Sequence, residues 1–182
     1  MRRLKVVLSL VLQVLAMLLP NTFKRILFGL VFGWAIGKGA KIGYSIILCT
    51  KVRIGSNSRI GHLNIFRDLK TLEIGNETKI LNLNHFMASK EKEWPDAFSI
   101  GNNSQITSRH FFDCSGGIRI GDRCLIGGRD SQCWTHFFDS RDGISRIEWS
   151  NWRLLTDATS EQEQRFCTAK YRRILLWAPA QL

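Results

Sequence analysis

The chain has 182 residues, of which 45% are hydrophobic and 10% aromatic, and its formal net charge is +11. This length and apolar content suffice for one buried core with extensions, which excludes a mainly disordered chain. No basic helix, zinc-ligand spacing or aromatic-and-basic strand signature accompanies the charge. The composition therefore disfavours a nucleic-acid-binding protein and favours an anionic membrane surface or an acidic polysaccharide as partner.

The N-terminal segment, residues 1–35, holds five basic residues and no acidic one. Its first apolar run extends from Val6 to Leu19 and its second from Ile26 to Ile36, and neither reaches the ~20 residues that span a bilayer. Pro20-Asn21-Thr22 between them is typical of a helix end followed by a new N-cap. No small-x-small cleavage site follows the first run, so the pattern disfavours a secretory signal peptide.

Two readings of these two predicted helices remain open, and both can hold together. In the first, the helices lie in the membrane interface with their basic residues facing lipid headgroups, namely Arg2, Arg3, Lys5, Lys24 and Arg25. In the second, the helices cap one end of the core.

A period of six residues dominates the middle of the chain. The first series of apolar residues consists of Ile36, Ile42, Leu48, Ile54, Ile60 and Phe66. The period resumes at Ile74, Ile80 and Phe86, then at Ile100, Ile106 and Phe112, and finally at Ile120, Ile126 and Gln132. Neither helices nor ordinary strands have this period, which is the signature of a solenoid.

Each block of three steps begins with Ile-Gly, at Ile36-Gly37, Ile54-Gly55, Ile74-Gly75, Ile100-Gly101 and Ile120-Gly121. The blocks predict an all-β fold, a parallel β-helix of about five triangular coils over residues 36–139. Each step forms one flat side whose branched apolar residue points to the axis, and the glycine lets neighbouring coils approach. The turn three residues later holds Gly39, Asn57 and Asn103 in three coils, and these residue types tolerate positive φ, whereas Glu77 and Arg123 do not share this preference.

Two further features concern loops and thiols. The long third coil contains Lys90–Asp96, a polar insertion that we expect to protrude from one corner as a solvated loop. The five cysteines are odd in number and form no C-x-x-C pair, which suits a reducing cytoplasm. We expect small buried apolar roles for Cys49, Cys114, Cys124, Cys133 and Cys167.

Residues 20–140 resemble the hexapeptide-repeat transferase family, in particular its bacterial polysaccharide and lipopolysaccharide O-acetyltransferases. The resemblance depends on the Ile-Gly repeat, on the segments 20–25 and 106–117, and on Gly127–Gln132 before Trp134-Thr135-His136. It implies a left-handed β-helix that uses acetyl-coenzyme A as acyl donor and needs no metal. It also implies a homotrimer that binds the donor between adjacent prisms.

The resemblance implies that His136 is the general base, because the family places a catalytic histidine in such a Thr-His sequence. A sugar hydroxyl is a poor nucleophile at neutral pH, and a neutral imidazole can take its proton as it attacks the thioester. Asp139 or Asp113 is expected to orient the imidazole or contact the sugar, and His110 and Trp134 to line the acceptor site. Backbone amides of Gly127 and Gly128 are expected at the cofactor, where they would stabilise the oxyanion.

The remaining histidines, His62 and His85, are interpreted as surface or corner residues, and the same interpretation stays open for His110. The four histidines are scattered along the chain, which disfavours the zinc hydratases of the same fold, since these need three clustered histidines. We therefore expect a cytoplasmic acetyltransferase of surface-polysaccharide biosynthesis, peripheral at the inner face of the membrane.

The C-terminal tail, residues 140–182, departs from the repeat. Family members continue for further coils after the histidine, so the alternative function is a non-catalytic or truncated β-helix that serves as a scaffold. One hypothesis for the tail is a shift in reading frame near Trp149, because Ile-Gly codons contain the tryptophan codon out of frame. The other is a genuine cap, with a helix over 161–177 whose Lys170, Arg172 and Arg173 meet phosphates.

Overall fold

The computed structural model describes residues 2–89, 94–139, 146–149, 152–154 and 166–168, and the side chains of 6–89 and 94–135. Two helices come first, α1 (Arg2–Ala16) and α2 (Asn21–Phe32). Strands that pair in parallel follow, and successive strands fall in turn on three sheets. The chain thus forms a parallel β-solenoid of about five turns, which confirms the fold predicted from the sequence.

The first sheet consists of β1 (Ala35–Ile36), β4 (Lys51–Ile54), β7 (Thr71–Ile74), β10 (Ala97–Ile100), β13 (Ile118–Ile120) and β18 (Trp152–Leu154). The second consists of β2 (Lys41–Ile42), β5 (Arg59–Ile60), β8 (Lys79–Ile80), β11 (Gln105–Ser108), β14 (Leu125–Arg129) and β19 (Phe166–Thr168). The third consists of β3 (Ile46–Leu48), β6 (Ile65–Arg67), β9 (His85–Met87), β12 (Phe111–Asp113) and β15 (Gln132–Cys133). A separate antiparallel hairpin joins β16 (His136–Asp139) to β17 (Arg146–Trp149).

The core consists of stacks of apolar residues, because most of the predicted inward positions pair with their equivalents in the next coil. Ile54 lies opposite Ile74 on the first sheet, and Ile60 opposite Ile80 on the second. On the third sheet the ring of Phe86 stacks on those of Phe66 and Phe112, with centroid distances of 4.5 and 4.7 Å. Such stacks bury aromatic area and fix the register of neighbouring coils.

Two of the predicted inward positions are wrong by one residue, both on the third sheet. Ile47 rather than Leu48 pairs with Phe66 and is fully buried, because the corner of the first coil is one residue shorter than that of the second. Cys133 rather than Gln132 pairs with Phe112. The extra residue is absorbed by an irregularity in β14, where Ile126 pairs with Ile106 but Arg129 pairs with Ser108.

The corners share one backbone conformation irrespective of residue type. Gly39, Asn57 and Asn103 have φ of 75°, 57° and 51°, as their residue types predict. Glu77 and Arg123 occupy the same corner with φ of 55° and 53°, although their side chains do not favour the left-handed region. The stacking of coils therefore overrides local preference at these two positions.

The insertion of the third coil is only partly described, since 90–93 lie outside the described residues. At its end, Asp96 is completely buried rather than solvated, and its carboxylate lies 3.1 Å from Nζ of Lys70. This end of the insertion is therefore fixed to the coil.

The two helices cap the open end of the first coil, as one of the two sequence interpretations predicts. The Gln13 side chain donates to the carbonyl of Ile47 and accepts from its amide, at 2.9 and 2.8 Å, as a neighbouring strand would. Asn21 accepts from the amide of Ile42, and Lys24 Nζ donates to the carbonyl of Ile42. Within the described chain, neither helix is long and apolar enough to cross a membrane.

The expectation that Lys24 faces lipid headgroups is wrong. Its side chain is 6% exposed, and its ammonium group lies over the ring of Tyr44 at 5.6 Å. Burial lowers the pKa of this lysine. Lys24 is therefore part of the cap.

The described parts of the tail extend two of the sheets. Strand β18 pairs with β13, so that Leu154 lies opposite Ile120, and β19 pairs with β14, so that Cys167 lies opposite Ile126. Phe166–Thr168 falls inside the helix predicted over 161–177 and forms a strand, so that prediction is wrong there. The pairing edge of β14 takes precedence over the helical preference of this segment.

Candidate functional site

A cavity of about 500 Å³ opens beside the third sheet, where the third, fourth and fifth coils meet. Its volume lies within the roughly 300–1,000 Å³ of small-molecule sites. The lining residues come from three successive coils and are Leu83, His85, Arg109, His110, Phe111, Asp130, Ser131 and Gln132. The cavity therefore combines an aromatic floor with imidazole, guanidinium, carboxylate, hydroxyl and amide groups.

His110, predicted at the acceptor site, lies in the wall of this cavity. It stands at the end of a buried ladder at one corner of the prism, in which each side chain accepts from the backbone amide of the next coil. Asn64 accepts from the amide of Asn84 at 2.9 Å, and Asn84 accepts from the amide of His110 at 2.9 Å. His110 thus takes the position in the ladder that Asn64 and Asn84 take in the two preceding coils.

The hydrogen bonds around His110 indicate which of its nitrogens carries the proton. The Thr107 hydroxyl lies within 3.0 Å of the carbonyls of Ile126 and Gly128, and it has one proton to donate to them. It must then accept from His110 Nε2, which lies 2.8 Å away. In the neutral ring this arrangement leaves Nδ1 as a lone-pair acceptor, and Nδ1 is buried without a hydrogen-bond partner among the described residues.

Burial lowers the pKa of His110, and the nearby carboxylate of Asp130 opposes this shift. The pKa of His85 is also lowered, mainly by burial and secondly by Arg67. Both imidazoles of the cavity are therefore neutral near pH 7. The nitrogens without a described partner, Nδ1 of His110 and Nε2 of His85, are both buried and do not open onto the cavity.

An ion pair forms the polar rim of the cavity. Arg109 Nε lies 2.9 Å from Oδ1 of Asp130 on the next coil, and both side chains are substantially exposed. The two residues occupy equivalent corners with φ of 68° and 58°. A guanidinium group has five donors, so Arg109 can bind a ligand oxygen while it contacts Asp130.

An aromatic row extends from the cavity to the predicted catalytic segment. The ring of Phe111 contacts His85 edge-on at 5.5 Å and Trp134 at 5.0 Å. Trp134 is 51% exposed, and its indole nitrogen donates to Gln132 Oε1. The predicted substrate residue Trp134 thus adjoins the cavity through Phe111.

Asp113, also predicted at the substrate, is buried beneath the surface. Its Oδ1 accepts from the hydroxyl of Ser115 at 2.7 Å, and its Oδ2 accepts from the amide and hydroxyl of Thr135 at 3.1 Å. The Thr135 hydroxyl also accepts from the amide of Gly116 at 2.7 Å. Asp113 therefore anchors the backbone immediately before His136, and its carboxylate is engaged by protein donors.

The predicted cofactor residues Gly127 and Gly128 lie at the irregularity of β14. A Cβ added to Gly127 would meet no atom of the described residues within 4 Å, so its surface is open toward them. Gly128 is exposed and has φ of 86°. Its carbonyl accepts from Thr107 at 2.7 Å, and Thr107 in turn bonds to His110, which connects the predicted cofactor and acceptor residues.

The two remaining predicted site residues lie on the hairpin. His136 begins β16 opposite Trp149, and Asp139 ends it opposite Arg146. Their side chains lie outside the described residues. The predictions for both residues therefore stay predictions.

The two thiols near the site, Cys114 and Cys133, are poor nucleophiles because burial keeps them protonated. Burial, assisted by Asp113, raises the pKa of Cys133 to about 12, and burial raises that of Cys114 well above its ordinary value. Both therefore remain protonated. Within the described part of the chain, no three histidine, cysteine or acidic residues lie close enough to hold a metal ion.

Of the residues that line the cavity, the sequence interpretation named only His110 as a site residue. It also missed Asn84 and Thr107, which hold His110 in place. One signal was present, because Asn64, Asn84 and His110 each precede an inward phenylalanine by two residues. Arg109 and Asp130 occupy equivalent corner positions of adjacent coils, but the shift of register in β14 hides this from the hexad count.

No known protein family, curated protein or solved structure matches the chain.

Proposed function

We propose that the protein is an acyltransferase that moves an acetyl group from acetyl-coenzyme A to a sugar hydroxyl, with His136 as general base. The imidazole takes the hydroxyl proton while the oxygen attacks the thioester carbonyl. The carbon–sulfur bond then breaks, and the thiolate takes the proton from the imidazolium. No covalent enzyme intermediate is needed.

The observation that supports the proposal most is the cavity next to the anchored Thr135-His136 segment. Sugars present apolar C–H faces and a ring of hydroxyl groups, so they suit a site with an aromatic floor and a few polar groups. Phe111 offers the floor, while Arg109, Asp130 and Gln132 offer donors and acceptors. Neutral His110 forms part of the wall, and its Nδ1 is buried behind the surface.

The position of the His136 backbone supports its role. Thr135 is completely buried and is held by Asp113 and Gly116, so the chain leaves the coil at a fixed point. Trp134, on the other side of Thr135, packs on the floor of the cavity. A base must be held within hydrogen-bond reach of the proton that it removes, and this anchor is suited to hold it.

The donor side of the proposal depends on the resemblance of the sequence to the hexapeptide-repeat transferases. Acetyl-coenzyme A would bind in a groove between the prisms of a homotrimer, passing the open surface at Gly127 and Gly128. The reaction would take place in the cytoplasm, and its product would enter surface-polysaccharide biosynthesis.

The experiment is an acetyl-transfer assay with purified full-length chain, acetyl-coenzyme A and a panel of sugar acceptors. We expect transfer by the wild-type chain and a loss of about 10²–10⁴-fold in kcat for His136→Ala, the usual effect of removing a general base. His62→Ala is the matched control, because His62 lies in the second coil, where its ring packs against that of Tyr44. It should retain wild-type kcat.

The anchor supplies a second arm of the same assay. Thr135→Val removes the hydroxyl at similar volume, and we expect a lower kcat with a nearly unchanged KM for acetyl-coenzyme A. Thr135→Ser keeps both hydrogen bonds and should retain activity. Equal kcat in His136→Ala and wild type would refute His136 as base, and a selective loss in His110→Gln would transfer that role to His110.

A further inference from the structure

The helices α1 and α2 expose apolar faces that nothing in the described chain covers. Leu18 is 86% exposed and Leu30 is 82% exposed. The other large apolar side chains exposed on this surface are Val6, Val7, Leu8, Val11, Val14, Leu15, Leu19, Phe23, Ile26 and Val31. We call these twelve residues the helical apolar face. Large apolar side chains exposed in this number mark an interaction site.

The helical apolar face is held rigidly on the solenoid. The inner side of α1 is attached through Gln13 and the buried Ala16, and that of α2 through Asn21, Lys24 and Phe28. Each helix therefore contacts the first coil through its inner side, and the exposed residues take no part in these contacts. The exposed apolar residues therefore do not contribute to the core of the solenoid.

The charge of the chain is concentrated at the same end. Residues 1–67 hold eleven basic residues and no acidic one, whereas residues 68–182 hold fifteen of each. The whole net charge of +11 therefore belongs to the helices and the first two coils. Exposed basic side chains of these coils include Lys38, Lys41, Lys51, Arg53 and Arg59.

We propose that the helical apolar face docks on an anionic lipid bilayer, with both helices lying in the plane of the interface. Apolar side chains would enter the acyl boundary, while the basic coils behind them meet lipid phosphates. A second copy of the chain is a poorer occupant of this face, because contact of one helical apolar face with another would bring two strongly cationic ends directly against each other. Nucleic acid is also poorer, since it offers phosphates but no apolar layer for twelve such side chains.

The test is co-sedimentation of the full-length chain with vesicles of phosphatidylglycerol and phosphatidylcholine, and with vesicles of phosphatidylcholine alone. The variant Leu15→Gln/Leu18→Gln/Leu30→Gln removes exposed apolar groups without touching the cap. Leu63→Gln/Leu83→Gln is the control, because these leucines are also exposed, at 63% and 51%, but lie at corners of the second and third coils.

We expect wild type and control to bind the anionic vesicles, with weaker binding in high salt and on phosphatidylcholine alone. The triple variant should bind at least about tenfold more weakly, because three leucines no longer enter the acyl boundary. Equal binding by the triple variant, or no binding by wild type, would overturn the proposal. An oligomer of the wild type that dissociates in the triple variant, without vesicle binding, would overturn it in favour of a second copy.

Discussion

At the scale of single residues, the site is a variation on the corners that build the prism. Asn64, Asn84 and His110 hold equivalent places in successive coils, and each takes part in the same ladder of hydrogen bonds. The first two make structure only, whereas the imidazole adds a titratable group to the wall of a cavity. A change of one residue type in a repeated position can thus add chemistry without altering the fold.

His110 predicts a pH dependence of stability. Its pKa in the folded chain is lowered below the ordinary value of 6.5 by burial, so below that pH the unfolded chain binds the proton more readily. The free energy of unfolding should therefore fall as pH drops from 6.5 toward the lowered pKa. His85 acts with the same sign, so its share remains when His110 is changed.

The variant His110→Gln isolates this effect. Glutamine can still donate to Thr107 but does not titrate, and we expect it to cost about 1 kcal/mol at neutral pH. Its stability should then depend less steeply on pH than that of wild type between about pH 7 and about pH 5. Denaturant unfolding at a series of pH values measures both quantities. Parallel stability curves for the two chains would contradict the assignment of His110 as a buried neutral group.

At the scale of elements, the glycine after each leading isoleucine decides how closely coils stack. A Cβ added to Gly75 would lie 2.5 Å from the carbonyl carbon of Gly101, which is backbone and cannot move aside. Gly75→Ala should therefore destabilise the chain by about 2–4 kcal/mol. Gly127→Ala is the control, because no atom in the described part of the chain lies within 4 Å of the added methyl group, and it should change stability by less than about 0.5 kcal/mol. Thermal unfolding of both variants checks this, and equal losses would contradict the close-packing argument.

The hexad pattern could predict the three sheets, the stacks and the number of coils, because apolar side chains at a fixed period must point to a common axis. It could not predict that Ile47 and Cys133 take the inward positions. Both depend on a change of one residue in the length of a corner, and such a change leaves no recognisable pattern in the sequence. The shift of register in β14 also places Asp130 of the fifth coil opposite Arg109 of the fourth. A count of hexads does not align these two residues, so the sequence did not predict the pair.

At the scale of the whole molecule, the chain has two ends of different character. The N-terminal end bears the helical apolar face and all of the net charge, while the cavity lies at the third to fifth coils. The six-residue period does not predict the strands of the tail. Strands β18 and β19 nevertheless join the first and second sheets. Their pairing follows from open strand edges that only the folded coils create.

Calorimetric titration of acetyl-coenzyme A into the full-length chain tests the proposal that the solenoid binds an acyl-coenzyme A thioester. We expect saturable binding to the wild type and to His136→Ala alike, because the base acts after the donor has bound. Gly127→Ala should fold normally yet bind more weakly, since its methyl group enters the surface at β14. Absence of binding to the wild-type chain would refute the proposed acyltransferase and favour a non-catalytic β-helix.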